Sequence, residues 1–159
     1  MIDIIWRGAL IGIGATLLMD LWAVFLWQVC GQAAPRWAGP GRWLWNLQHG
    51  TVFHDSIADA EPCRHEEALG WIFHYATGIV YGIVLGLWGG PAWFANPTFL
   101  PAFIWGMVTV AAGWFLLQPG LGLGWAASKT PSPGKVRLLN LAGHFVFGLG
   151  LWGTALLIR

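Results

Sequence analysis

The chain has 159 residues, enough for one domain, and is 57% hydrophobic but only 9% charged, far below the share of about a quarter in soluble domains. Eight basic and seven acidic residues give a formal net charge of +1, which leaves no cationic footprint and excludes nucleic acid as a partner. Thirteen Trp and 23 Gly favour the bilayer interface and close helix packing, so the chain reads as an all-α, polytopic membrane protein whose solvent is the lipid bilayer.

The first predicted span covers about residues 4–29. Its apolar run is too long for the core of a signal peptide. The residues before Cys30 (Trp27, Gln28, Val29) are bulkier than a lipoprotein cleavage site accepts, so the span is expected to be retained. Gly8, Gly12, Thr16 and Asp20 recur every four residues and therefore share one ridge of the helix. Asp20 lies mid-span, where an ionised carboxylate costs roughly 3 kcal/mol, so it should face the bundle and find a partner.

Residues 31–66 form the longest polar segment. Gly39, Pro40 and Gly41 are expected to break the chain before a short interfacial helix anchored by Trp43 and Trp45. Ser56 with Asp59 fits a helix-starting capping box, and Glu66 and Glu67 suit the positive end of the next helix. Cys30 and Cys63 flank this loop and read as free thiols if the loop faces a reducing compartment.

The second span, about residues 68–88, has the most ordered pattern. Its ridge of spacing four is Gly70, His74, Gly78, Gly82, Gly86 and Gly90, one histidine in a row of glycines. Ile72, Val80, Leu85, Leu87 and Trp88 belong to the apolar remainder expected against lipid. A link through Gly89, Gly90, Pro91 and Asn96 leads to a third span at about residues 98–118, which carries Ala102 and Gly106 and ends at Pro119. Residues 119–134 read as a flexible Gly-, Pro- and Ser-rich turn. The fourth span, about residues 136–158, repeats the spacing with Asn140, His144 and Gly148. Helix packing is thus assigned to Gly8, Gly12, Gly78, Gly82, Gly86 and Gly148, within a single domain of four transmembrane helices.

Four spans put both termini on one side. The large loops hold Arg36, Arg42, Arg64, Lys129, Lys135 and Arg137, against Arg7 and Arg159 on the terminal side. The positive-inside rule then predicts cytoplasmic loops and outside termini in a bacterial inner membrane.

With about 1.5 Å of rise per residue, Asp20 lies about 15 Å from the loop side and His74 and His144 about 10 Å. Three ionisable groups on three spans thus share one layer. They fit three roles: hydrogen-bonding glue between helices, a site that binds or passes a proton or small solute, or ligands of a metal or haem. No cofactor is predicted outright, because no contiguous metal or haem motif supports that third role. In the first loop, His54 and Asp55 head a His- and carboxylate-rich patch whose bland reading is a solvated loop with helix caps and whose sharper reading is metal capture. The run His65-Glu66-Glu67-Ala68-Leu69 lacks the second histidine of a zinc-protease helix. No nucleophile elbow, CxxC pair or phosphate loop is present, so a catalytic role has no residues to carry it. Binding or passage of a small solute by a homo-oligomer is the leading expectation, and an accessory subunit of a larger membrane complex is its rival.

A family resemblance runs through the chain on Gly41-Arg42-Trp43, Phe53-His54-Asp55-Ser56-Ile57 and Leu69-Gly70-Trp71 with His74-Tyr75. It continues on Asn96-Pro97-Thr98, Leu100-Pro101-Ala102, Gln118-Pro119-Gly120, Ala126-Ala127-Ser128 and His144 with Phe147-Gly148. These motifs, in this order, resemble the bacterial domain-of-unknown-function family 2938. The resemblance implies a small multi-span membrane protein and carries over no catalytic or binding residue. Gly113 stands where the family pattern has a proline, which predicts a straighter third span.

Overall fold

An apolar run in lipid must satisfy its backbone hydrogen bonds internally, and a helix does so. The computed structural model, which describes all residues Met1–Arg159, has helices joined by irregular segments and no strand. Its helices are α1 (Ile2–Cys30), α2 (Ala38–Leu47), α3 (Glu66–Ala95), α4 (Phe99–Gly120) and α5 (Pro133–Leu157). All but α2 are long and apolar enough to cross a membrane.

Two helices are less regular than their sequences suggest. In α3 the helical path breaks at Gly90, whose φ of 64° places it in the left-handed region, and helix resumes at Pro91. The expected link after residue 88 is therefore a short helical extension through Ala95. In α4 the segment Gly113–Leu117 is π-helical, closed by the Gln118 N–H donating to the Gly113 carbonyl. The straighter span expected from Gly113 is thus replaced by a bulge, which inserts one residue into the turn.

The chain forms two compact units. The first comprises Met1–Pro35, Tyr75–Thr109 and Leu141–Arg159. Its core gathers Ile11, Ala15, Leu85, Phe94, Phe147 and Leu151. Leu85, expected against lipid, is fully buried there, whereas Val80, Leu87 and Trp88 are exposed. Within this unit α1 and α3 approach to backbone contact. A methyl group built on Gly8 would lie 2.7 Å from the Ile83 Cα, and one on Gly12 would lie 2.8 Å from the Ile79 Cα. Gly78 faces the Thr16 hydroxyl, and Gly82 faces the backbone of Gly8 and Gly12. Gly106 of α4 and Gly148 of α5 make a second such crossing. Gly86 departs from the pattern, because its neighbours are the Phe94 ring and Ile4.

The second unit comprises Arg36–His74 and Val110–Asn140. Gly39, Pro40 and Gly41 do not break the chain here; they form the first turn of α2. Pro40 sits where a helix has no use for the missing N–H, and the Gly41 N–H makes an early bond to the Trp37 carbonyl, 2.9 Å. Gly41 packs on the Glu66 backbone, and Gly70 on the Trp37 backbone. Trp43, expected as an interfacial anchor, is instead buried and donates from its indole to the Val52 carbonyl at 2.8 Å, while Trp45 remains exposed. Ser56 caps only the 3-10 turn Ile57–Asp59, accepting from the Ala58 N–H at 3.3 Å. Both cysteines are free.

Candidate functional site

The spacing of four along α5 carries Asn140, His144 and Gly148 to α4, and each meets a different chemistry. In the first unit the Thr109 hydroxyl donates to the Gly106 carbonyl at 2.7 Å. The His144 Nδ1 lies 3.0 Å from that hydroxyl oxygen and 3.1 Å from the same carbonyl. With the hydroxyl proton already spent on Gly106, both neighbours of Nδ1 act as acceptors. The neutral ring therefore holds its proton on Nδ1, and Nε2 carries the lone pair. Thr109 is buried, so this arrangement is shielded from water on the α4 side.

Asp20 also lies in the first unit. Its carboxylate accepts a hydrogen bond from the Tyr75 hydroxyl at 2.8 Å, which gives the mid-span charge of α1 a partner on α3. His74 belongs to the second unit, where its ring stacks on Trp37 at 3.9 Å between centroids and meets the edge of Trp71 at 5.9 Å. Trp37 has no signal in the sequence, and Tyr75 and Thr109 enter it only through the family motifs His74-Tyr75 and Thr109-Val110, with no partner assigned. Thr109 also follows Gly106 by three residues on the ridge that faces His144.

The polar groups of the second unit are fastened more tightly than a solvated loop requires. Arg42 forks onto Glu66, Nε to Oε2 at 2.8 Å and Nη2 to Oε1 at 2.9 Å, and its Nη1 donates to the carbonyls of Ile57, Ala58 and Ala60. The hydrogen bond to Glu66 raises the Arg42 pKa above its already high ordinary value. Glu67 accepts the Trp37 N–H at 3.0 Å. The two glutamates thus serve α2 and its entry as well as the start of α3.

His54 docks on the end of α4. Its backbone N–H and its Nδ1 both reach the Gly120 carbonyl, at 3.2 and 2.9 Å, and the Ile57 N–H reaches Leu121 at 3.1 Å. The turn after residue 119, expected to be flexible, is held by these bonds and by the Leu123 N–H to the Gln118 carbonyl, 2.9 Å. Asp55 is exposed, and its carbonyl packs on Gly122. On the π-helical side, Asn140 Oδ1 accepts from both Trp114 Nε1 at 3.0 Å and Gln118 Nε2 at 2.8 Å. An open cleft of about 540 Å³ lies between Trp45, His49, Glu61, Cys63 and Arg64. No three His, Cys, Asp or Glu side chains are grouped so as to hold a metal ion.

Comparison with curated proteins and with solved structures finds no match. The family model described as protein of unknown function, DUF2938, matches residues 9–158, nearly the whole length, and the chain belongs to that family.

Proposed function

We propose that the protein resides in a bacterial inner membrane, loops cytoplasmic and termini outside, and binds or passes a proton or small hydrogen-bonding solute through the intramembrane groups His144 and Asp20 of the first unit. The observation that carries this reading is the tethering of His144. Its Nδ1 is committed to Thr109 and Gly106, so Nε2 is the position at which a proton or a donor group binds. Ionisable residues within membrane-length helices are expensive and commonly mark such paths. Asp20, held by Tyr75, supplies the one carboxylate in α1 beyond its first turn. The six basic residues in the loops against two at the terminal side support the orientation. Four helices enclose little space of their own, so passage would be completed by a homo-oligomer.

The test is proton flux into vesicles reconstituted with the full chain, driven by a potassium diffusion potential and read with an entrapped pH dye. Flux above that of protein-free vesicles is expected, reduced to background by His144→Ala and by Asp20→Asn in variants that retain the wild-type helical content. Flux that persists in both variants sinks the site. A wild type that carries no protons or solute but co-purifies with a membrane complex, and is needed for its stability, moves the reading to an accessory subunit.

A further inference from the structure

Residues 121–132 join α4 to α5, two helices of membrane length, so this short turn lies at the level where their spans end. Its charge is of one sign. No Asp or Glu follows Glu67 in the chain, whereas Lys129, Lys135 and Arg137 cluster in the turn and just after it. All three cations are exposed, and none has an ion pair. Asp55 reaches the turn through its carbonyl, packed on Gly122, yet its carboxylate pairs with none of them.

Backbone carbonyls of the turn fix two of these residues on either side of Trp125. Arg137 Nε donates to the Ala126 carbonyl at 2.8 Å, which leaves both terminal amino groups of the guanidinium free. The Lys129 N–H donates to the Leu123 carbonyl at 2.9 Å, and its stem passes beside Gly124. Trp125 itself is exposed and packs on the Phe115 ring of α4, 5.6 Å between centroids. Leu138, adjacent to Arg137, is exposed as well.

A cation in the first turn of a helix opposes the positive end of its dipole, yet α5 opens with Lys135 and no acid. No acidic side chain of the turn or of α5 offsets that field. An anion offsets it, and the exposed Trp125, Phe115 and Leu138 favour an anion that carries an apolar body. A phospholipid of net negative charge supplies both, phosphate to the guanidinium and ammonium groups and acyl chain to the apolar side chains. A zwitterionic phospholipid brings the same phosphate with a cation attached, which these residues repel.

We propose that Lys129, Arg137 and Trp125, with Lys135 adding to their field, dock the headgroup of an anionic phospholipid. The site lies within the second unit and shares no residue with the His144 reading. It does not depend on which side of the membrane the loops occupy.

The experiment is native mass spectrometry of the full-length protein released from detergent micelles. The protein is titrated with phosphatidylglycerol or with phosphatidylcholine of the same acyl chains. Saturable binding of phosphatidylglycerol is expected at about a tenth of the phosphatidylcholine concentration or less, since each Lys or Arg near an anionic surface strengthens binding roughly fivefold. Lys129→Gln combined with Arg137→Gln is expected to remove that preference. Arg36→Gln, which neutralises an exposed cation elsewhere in the unit, is expected to leave it. Equal affinity of the wild type for the two lipids overturns the proposal without any variant, and turns the patch toward an acidic protein segment. A preference that survives the double substitution overturns it, and so does an equal loss in Arg36→Gln, because total charge would then govern binding. Displacement of the lipid by equimolar glycerol 1-phosphate also overturns it, since the occupant would then be a soluble anion.

Discussion

Arg42 and Glu66, 24 residues apart in sequence, form a two-bond fork that ties α2 to the first turn of α3. The side chains are 14% and 21% exposed, so the pair is shielded well enough for geometry to matter more than net charge. Lysine cannot reproduce it, because a single ammonium cannot meet both carboxylate oxygens and the three carbonyls on the far side. Arg42→Lys should therefore lower stability by about 1–3 kcal/mol, the usual worth of a charged hydrogen bond lost from a shielded site. It should also speed tryptic cleavage at Arg64, which sits in the segment Arg42 restrains. The raised pKa of Arg42 fixes the pH behaviour. A cation with a raised pKa contributes fully at every pH below its ordinary value, and that contribution is lost only as pH rises through the higher folded one. The difference between wild type and Arg42→Lys should stay constant from neutral to moderately alkaline pH. Equal unfolding midpoints and equal cleavage rates would remove the fork from any structural role.

Glycines in this chain divide by what surrounds them, and the division is measurable. A methyl group at Gly12 would press on the backbone of Gly78 and Ile79, and backbone cannot swing aside. Gly12→Ala should therefore force α1 from α3 and cost about 1–3 kcal/mol, as overpacking does. Gly113 has nothing within 4 Å of the same position. Gly113→Ala should be neutral or stabilising by up to about 1 kcal/mol through helix propensity. Thermal unfolding in one detergent, followed by circular dichroism, compares the two. Equal losses would show that space at the crossing is not what distinguishes them.

The four long helices and the small-residue ridges of α1 and α3 are legible in the sequence because both signals are local, hydropathy over some twenty residues and small residues repeating every four, whereas which ridge meets which is not. Asp20 and His144 stood out for the same reason, as polar members of those ridges. What remained hidden depends on residues far apart in the chain. Nothing near Glu66 announces that Arg42 will hold it, and Gly39-Pro40-Gly41 looks like a break until the backbone of Glu66 is found against Gly41. Leu85 was misplaced because its alternation with lipid-facing residues carries no information about Phe94, which returns past the Gly90 break into the same core. The π-helical turn at Gly113 likewise has no local marker beyond the glycine, yet it aims Trp114 and Gln118, four apart, at one oxygen of Asn140.

The hydrogen bond from the Tyr75 hydroxyl to the Asp20 carboxylate, 2.8 Å, joins residues 55 apart on α1 and α3. Polar bonds between membrane helices are worth about 0.6 kcal/mol on average and up to about 1.7 kcal/mol. A charged acceptor puts this one in the upper part of that range. Tyr75→Phe removes the donor, and Asp20→Leu removes the acceptor together with the charge. In a double-mutant cycle the two changes should cost less together than the sum of their separate effects, with a coupling of about 1–1.7 kcal/mol. Asp20→Asn retains a carbonyl oxygen for the hydroxyl and should keep part of that coupling, so it separates the loss of charge from the loss of the bond. Strict additivity of Tyr75→Phe and Asp20→Leu would mean that Asp20 draws its stabilisation from other groups, and would detach Tyr75 from the proposed intramembrane site.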